Sequence, residues 1–309
     1  MTDILFATAP CTFGVDNPSS PDLIKWIDFL DKASELHICN VELGPMGYFP
    51  IEDTETVLEE ICTRGIRVIA GTVFDRLISR SRVEELKTSI TKLCEFLVRA
   101  NHATARPPYL VIIDWGYEAR SKLAGNSRLA PRLDKETRKR LIENISYIAN
   151  IARNLGVDPL IHPHVGGHIE FYDEIEEVMD HLCGCDTKLC LDTGHAFYAG
   201  INPINMIEVY SDLIEYVHVK DFDLEIYMSC VRDKRDFFDA CADGLTCAIG
   251  DGCLDYGGIV EALRDINYAG YLTIEIEKSP VNWRHASTQL TRSTEYLEKL
   301  LNTPLNGAL

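Results

Sequence analysis

The chain has 309 residues, 46% of them hydrophobic and 25% charged, a composition that excludes a disordered or fibrous protein. Thirty Lys and Arg against 48 Asp and Glu leave a formal charge of −18, a field that repels polyphosphate and argues against nucleic acid or an anionic membrane as a partner. The longest apolar runs, such as Tyr109–Ile113, fall far short of the roughly 20 residues a membrane-spanning helix needs, and Met1-Thr2-Asp3 lacks the basic start of a signal peptide, so a cytoplasmic protein is expected.

In chain order, short β-branched apolar runs alternate with stretches of helical periodicity. Ile4–Thr8 reads as a strand and Pro21–Leu36 as the helix after it; Ile38–Leu43 is followed by Asp53–Thr63, and Ile66–Val73 by Arg82–Ala100. Tyr109–Asp114 precedes Asp134–Leu155, Pro159–His164 precedes Glu170–Leu182, and Lys188–Asp192 precedes Pro203–Leu213. Tyr216–Lys220 precedes Tyr256–Ile266, and Tyr271–Glu277 precedes Ala286–Leu301. Eight such units of roughly 30 to 40 residues, in a chain somewhat longer than the typical 250, predict an α/β protein made of a single (β/α)8 TIM barrel over residues 1–309. A doubly wound open sheet is weakened by the lack of a G-x-G-x-x-G turn or phosphate-binding loop after any strand. Two segments, Trp115–Leu133 and Asp221–Cys253, are longer than connection requires, and long ordered loops are usually functional.

Eleven cysteines, an odd count without a C-x-x-C pair, do not describe a disulfide framework or a structural zinc site. The closest pair, Cys183 and Cys185, has the wrong spacing for a redox or zinc motif. The Asn144-Ile145-Ser146 triplet matches a glycosylation pattern but falls in a predicted helix.

In such a barrel the C-terminal strand ends share one pocket. Strands five to eight bring His162, Asp192, His218 and Glu275 to that rim, a nitrogen and oxygen donor set suited to a divalent cation, Mn or Co foremost, with Zn, Fe or Mg as alternatives. Each interrupts an apolar run, where an unpaired polar group would cost several kcal/mol, so a metal is the expected compensation. Alternation along a strand adds His164, Lys220 and Glu277 to the same face. Desolvated beside a cation, Lys220 is expected to have a lowered pKa and to act as a base or a donor, or else to form a salt bridge with Asp221 or Glu277. His195 either bonds substrate or caps the following helix. Glu42, at the end of strand two, either binds a substrate hydroxyl or pairs with a cation. Arg232, Lys234 and Arg235 in the long loop either close over substrate or form a solvated charge run.

These residues resemble the xylose-isomerase-like barrel superfamily of sugar isomerases, epimerases and dehydratases, and within it the inosose dehydratase branch. The similarity rests on IHPHVGGHIEFYDEIEEVM (161–179), LCLDTGHAFYAG (189–200), YVHVKDFD (216–223), the segment 249–280 with its Gly250-Asp251-Gly252, and more faintly NVELGPMGYFP (40–50). The resemblance implies metal ligation by Asp192, His218 and Glu275. The fourth ligand of the family is usually a Glu on strand five, where His162 stands, and this departure puts a two-carboxylate epimerase mechanism in doubt. What it implies is elimination of water from a cyclic polyol ketone such as 2-keto-myo-inositol, through an enediolate held by the metal, Lys220 and His195, with Lys220, Glu277 or His164 as base. The rivals are a keto-sugar or keto-inositol isomerase or epimerase, a 3-keto-glycoside lyase, a repair endonuclease, which the −18 charge disfavours, and a non-catalytic sugar-binding barrel. The expected partner is a small polyol ketone or sugar, with homo-oligomer formation left open.

Overall fold

The structure is a computed structural model that describes residues 4–101, 106–182, 184 and 186–303. Eight parallel strands close a barrel in the order of the chain: β1 (Leu5–Thr8), β2 (Asn40–Glu42), β3 (Arg67–Asp75), β4 (Tyr109–Asp114), β5 (Asp158–Ile161), β6 (Lys188–Asp192), β7 (Ile214–Val219) and, after the two-stranded antiparallel pair β8 (Asp221–Phe222) and β9 (Thr246–Cys247), β10 (Tyr271–Ile274), which pairs with β1. This is the predicted (β/α)8 architecture. Full closure leaves no barrel strand with an unpaired edge.

Amphipathic helices cover the outside: α1 (Trp26–Glu35), α2 (Thr54–Thr63), α3 (Arg80–Ala100), α4 (Glu118–Ser121), α5 (Lys135–Asn154), α6 (Tyr172–Leu182), α7 (Thr193–Tyr198), α8 (Pro203–Val209), α9 (Leu224–Asp233), α10 (Phe237–Ala242), α11 (Tyr256–Asp265) and α12 (Ala286–Asn302). Several start on side-chain caps that the sequence advertises. Asp134, Asn202, Asp223, Asp236 and Asp255 each accept a hydrogen bond from a backbone N–H in the first turn, satisfying donors the helix cannot. The first helix begins at Trp26 rather than at Pro21, because Asp22 takes a positive φ of 63° and the chain reaches its helical conformation only after Lys25.

Inside the barrel, Tyr109, Val111, Leu160, Cys190, Tyr216 and Tyr271 fill the floor, with Tyr109 and Tyr216 stacked at 5.1 Å between centroids. The Tyr216 hydroxyl donates to Glu42 Oε1 at 2.5 Å and also contacts Thr273, so the floor ends in a polar layer on which the site is built. Asn144 is buried in α5 and donates to the Leu77 carbonyl at 2.7 Å, an inward-facing position unsuited to a glycan. All nine described cysteines are free; Cys183 and Cys185 lie outside the described residues. Among the described residues no helix is long and apolar enough to cross a membrane.

Candidate metal centre and acid–base cluster

Strands β5 and β10 stop at Ile161 and Ile274, one residue short of His162 and Glu275. His162, His164, Glu275 and Glu277 therefore sit on the first extended residues past the barrel, with their alternation intact. A small cavity of about 90 Å³ is lined by Glu42, His162, His164, His195, His218, Lys220, Glu275 and Glu277, and Asp192 lies directly beneath it within ion-pair reach of four of them.

The four predicted ligands lie near one another in pairs. His162 Nε2 lies 3.6 Å and His218 Nδ1 3.9 Å from Asp192 Oδ2, and His218 Nδ1 lies 3.4 Å from Glu275 Oε2. Among the described residues, each triad of donor atoms lying within 4.8 Å of one another joins two of the four to another residue: His162 and Asp192 with His195; His218 and Glu275 with Glu42; and His162 and His218 with Cys190. Glu42 thus belongs among the cation-holding candidates as well as among those for substrate.

The chemistry of this donor set fits a divalent cation. Burial alone would raise the pKa of Asp192 and Glu275, but Lys220 with His162 and His218 beside Asp192, and His218 with Lys220 beside Glu275, hold both well below the usual carboxylate range, so both are anionic. Among the described residues the buried His162 Nδ1 and both ring nitrogens of His218 have no hydrogen bond, although His218 Nε2 lies 2.8 Å from Glu42 Oε1. Orphaned nitrogens at this depth cost about 1–3 kcal/mol each unless something accepts their lone pairs or protons.

Lys220 overturns one expectation. Burial does push its pKa down, but Asp192, Glu275 and Glu277, at 3.0, 2.8 and 2.6 Å from Nζ, outweigh that and hold it well above the ordinary lysine range. The salt bridge to Glu277, one of the two readings its position allows, is formed. The other predicted partner, Asp221, is engaged elsewhere: the carboxylate accepts from the N–H groups of Phe222, Gly250, Gly252 and Leu254 at 2.9–3.1 Å. Gly252 is needed there, since a Cβ would stand 2.2 Å from Asp221 Oδ1. The Gly250-Asp251-Gly252 motif is therefore an anchor for the long loop.

In the Asp-Thr-Gly-His segment, Asp192 caps α7 by accepting from His195 N–H at 2.8 Å, and Gly194 gives room to Lys220, whose Cβ would meet a glycine-substituting Cβ at 2.6 Å. The His195 ring is released into the cavity, with Nε2 3.3 Å from Lys220 Nζ and its ring 3.9 Å from that of His164. Burial, with His162 and Lys220 nearby, pushes His164 down to about 3, so it is a neutral imidazole; Nδ1 lies 2.8 Å from the Val165 carbonyl, which leaves Nε2 as an acceptor. Burial and Glu275 raise the pKa of Glu277 against the opposing pull of Lys220, and Glu277 Oε2 has no hydrogen-bond partner among the described residues.

Arg232 is not brought to the cavity. It lies on α9 with its side chain 71% exposed and paired to Asp233, while Arg235 pairs with Asp243, so the loop's charges form a solvated run. What the same loop delivers instead is α10, whose Phe237 and Phe238 pack on His195 and His164 at centroid distances of 5.1 and 5.9 Å. The visible signal is Asp236 as a cap immediately before an apolar pair, inside a loop too long to be a plain connection.

A closed barrel with its acid–base groups at the C-terminal rim is the frame of a large group of sugar-converting proteins, and the profile of the xylose isomerase-like TIM barrel family matches residues 31–300. The chain belongs to that family. More particularly, it is similar to inosose dehydratase of Bacillus licheniformis, 27% identical over 282 residues and 90% of each chain, and to that of Geobacillus kaustophilus, 26% identical over 289 residues, 93% of this chain and 91% of the other. Among solved structures it is similar in fold to the IolI protein with a bound zinc atom (TM-score 0.71, 16% identity, 97% and 98% of the two chains). It also resembles the probable 3-DHS dehydratase AsbF of Bacillus anthracis (TM-score 0.69, 14% identity, 95% and 98%).

Proposed function

We propose that this protein is a divalent-metal-dependent carbon–oxygen lyase that eliminates water from a cyclic polyol ketone such as 2-keto-myo-inositol. The observation that carries the reading is the buried cluster itself: anionic Asp192 and Glu275 beside the buried ring nitrogens of His162 and His218, with the Lys220 ammonium and a carboxyl of raised pKa in the same cavity. The likeness to curated inosose dehydratases over nine-tenths of the chain supports it.

His162, Asp192, His218 and Glu275 would hold the cation, with Glu42 within reach of the same place. The cation would polarise the ketone as a Lewis acid. Glu277 is the proton carrier: Oε2 is unpartnered, and a raised pKa suits a carboxyl that must both take and return a proton near neutral pH. It takes the proton from the carbon next to the ketone, and the C–H electron pair becomes the carbon–carbon double bond of an enediolate whose charge lies beside the Lys220 ammonium. The neighbouring C–O bond then breaks and hydroxide leaves with a proton from Glu277, giving an unsaturated ketone and water. His164 and His195, both buried imidazoles of lowered pKa, are placed to hold ring hydroxyls. The protein would act in the cytoplasm, with Mn or Co as the preferred ion.

The test is incubation of metal-loaded protein with 2-keto-myo-inositol, read by mass spectrometry. A product lighter by one water supports the lyase; a product of unchanged mass with exchanged hydrogen identifies an isomerase or epimerase instead.

A further inference from the structure

The catalytic cavity is small, but it adjoins a second one ten times its size. The inner volume is about 90 Å³ and the outer about 880 Å³, and the two share Asp16, Phe74 and Phe238 as a common wall. Sites for whole small molecules run to roughly 300–1,000 Å³, so the inner cavity alone is too tight and the outer one far exceeds a single six-membered ring.

The outer chamber has a definite chemistry. Phe74, Trp115 and Phe238 make one aromatic wall, with centroid distances of 5.0 Å (Phe74–Trp115), 5.6 Å (Trp115–Phe238) and 6.4 Å (Phe74–Phe238). That wall continues inward without a gap: Phe238 is stacked on His164 at 5.9 Å and Phe74 lies 5.1 Å from the same imidazole. None of the three aromatic rings is fully buried. Apart from Asp16 on the shared wall, the polar groups stand around this aromatic face, where Asp75 is paired with Arg82 at 2.8 Å and Arg76 lies over the Tyr117 ring at 5.5 Å. A flat aromatic face reached directly from an acid–base cluster, with hydrogen-bonding groups around its edge, suits a ring with an apolar face and polar substituents.

We infer that the outer chamber is a subsite for a second, flat-faced ring attached to the ring on which the reaction takes place, so that the protein also takes two-ring derivatives of the cyclic polyol ketone, a glycoside or aryl ether of the polyol. This rests on the reading of the inner cavity as the reaction centre. Trp115 is its central specificity residue, because it lines the outer chamber and not the inner one.

Isothermal titration calorimetry on the metal-loaded protein tests this without turnover. The probes are methyl β-D-glucopyranoside with one ring, and 4-nitrophenyl β-D-glucopyranoside and cellobiose with two, the last pair distinguishing an aryl from a sugar ring. At least one two-ring probe should bind tenfold or more tightly than the methyl glucoside; Trp115→Ala should erase that preference and Trp115→Phe should keep most of it. Equal or undetectable binding of both two-ring probes, or a preference that survives Trp115→Ala, would overturn the inference. Water release from 2-keto-myo-inositol reports on the inner site separately. If release is absent while the two-ring preference is intact, only the lyase reading falls; the reverse result removes only the subsite.

Discussion

Lys220 Nζ lies 2.6 Å from Glu277 Oε1 and 2.8 Å from Glu275 Oε2, so one buried ammonium holds together two carboxylates that would otherwise repel each other at the barrel mouth. Lys220→Met leaves those carboxylates and Asp192 without their shared counter-charge. Breaking a buried pair on one side costs about 3–5 kcal/mol, and the variant should lose stability of that order in urea unfolding, together with at least a hundredfold in turnover. A variant of unchanged stability would mean that the ammonium is not the counter-ion the geometry shows.

Asp192 caps α7 and, in the proposed function, also holds the cation, and one substitution separates the two roles. Asn retains an oxygen that accepts from His195 N–H at the start of α7, so the cap survives, but it removes the charge from the cation donors. Asp192→Asn should still fold, with a melting temperature lowered by the loss of its buried pair with Lys220, bind well under one equivalent of Mn or Co by elemental analysis, and release no measurable water from the ketone. Full metal content in this variant would take Asp192 out of the ligand set.

The Asp221 carboxylate accepts four backbone N–H groups, three of them from the far end of the long loop. Asp221→Ala would strand those donors at about 1–3 kcal/mol apiece where they are buried. The expected result is a loss of several kcal/mol in stability and rapid proteolytic cleavage within 223–250, while the barrel remains intact on the gel. Unaltered protease resistance would show that the loop is held by other contacts.

Glu170 provides a pH test away from the reaction centre. It accepts from Gly125 N–H at 2.6 Å and Gly166 N–H at 3.1 Å, and burial pushes its pKa up to about 7. Between the unfolded value near 4.3 and that folded value, the native state holds a proton that the unfolded chain has released, so stability falls as pH rises across this window, by about 4 kcal/mol in total. Glu170→Gln cannot ionise and should show a correspondingly flatter change in urea midpoint between pH 5 and pH 7.5. Parallel profiles for parent and variant would contradict the raised value.

The eight strands were legible because each is a short apolar run bounded by turn residues, and closure followed from their number and spacing. Strand ends were less so. Ile161 and Ile274 end β5 and β10, yet the polar residues beyond continue the extended chain, so a run-based reading carries each strand too far. His162, Asp192, His218 and Glu275 could be placed at one rim from topology alone. The charge state of Lys220 could not, because its sign depends on three carboxylates brought together from β6 and the residues after β10. Arg232 failed as a substrate contact for a related reason: in a loop that folds into helices of its own, sequence position does not say which face turns inward, and α10 rather than α9 covers the cavity.

Because Asp221 ties residues 250–254 to the strand end from which the chain departs at 222, everything between is a closed excursion whose two feet are pinned together. The entropic cost of such an excursion grows only slowly with its length. Insertions or exchanges between 223 and 249 can therefore reshape what covers the cavity while the barrel-rim residues beneath are left in register.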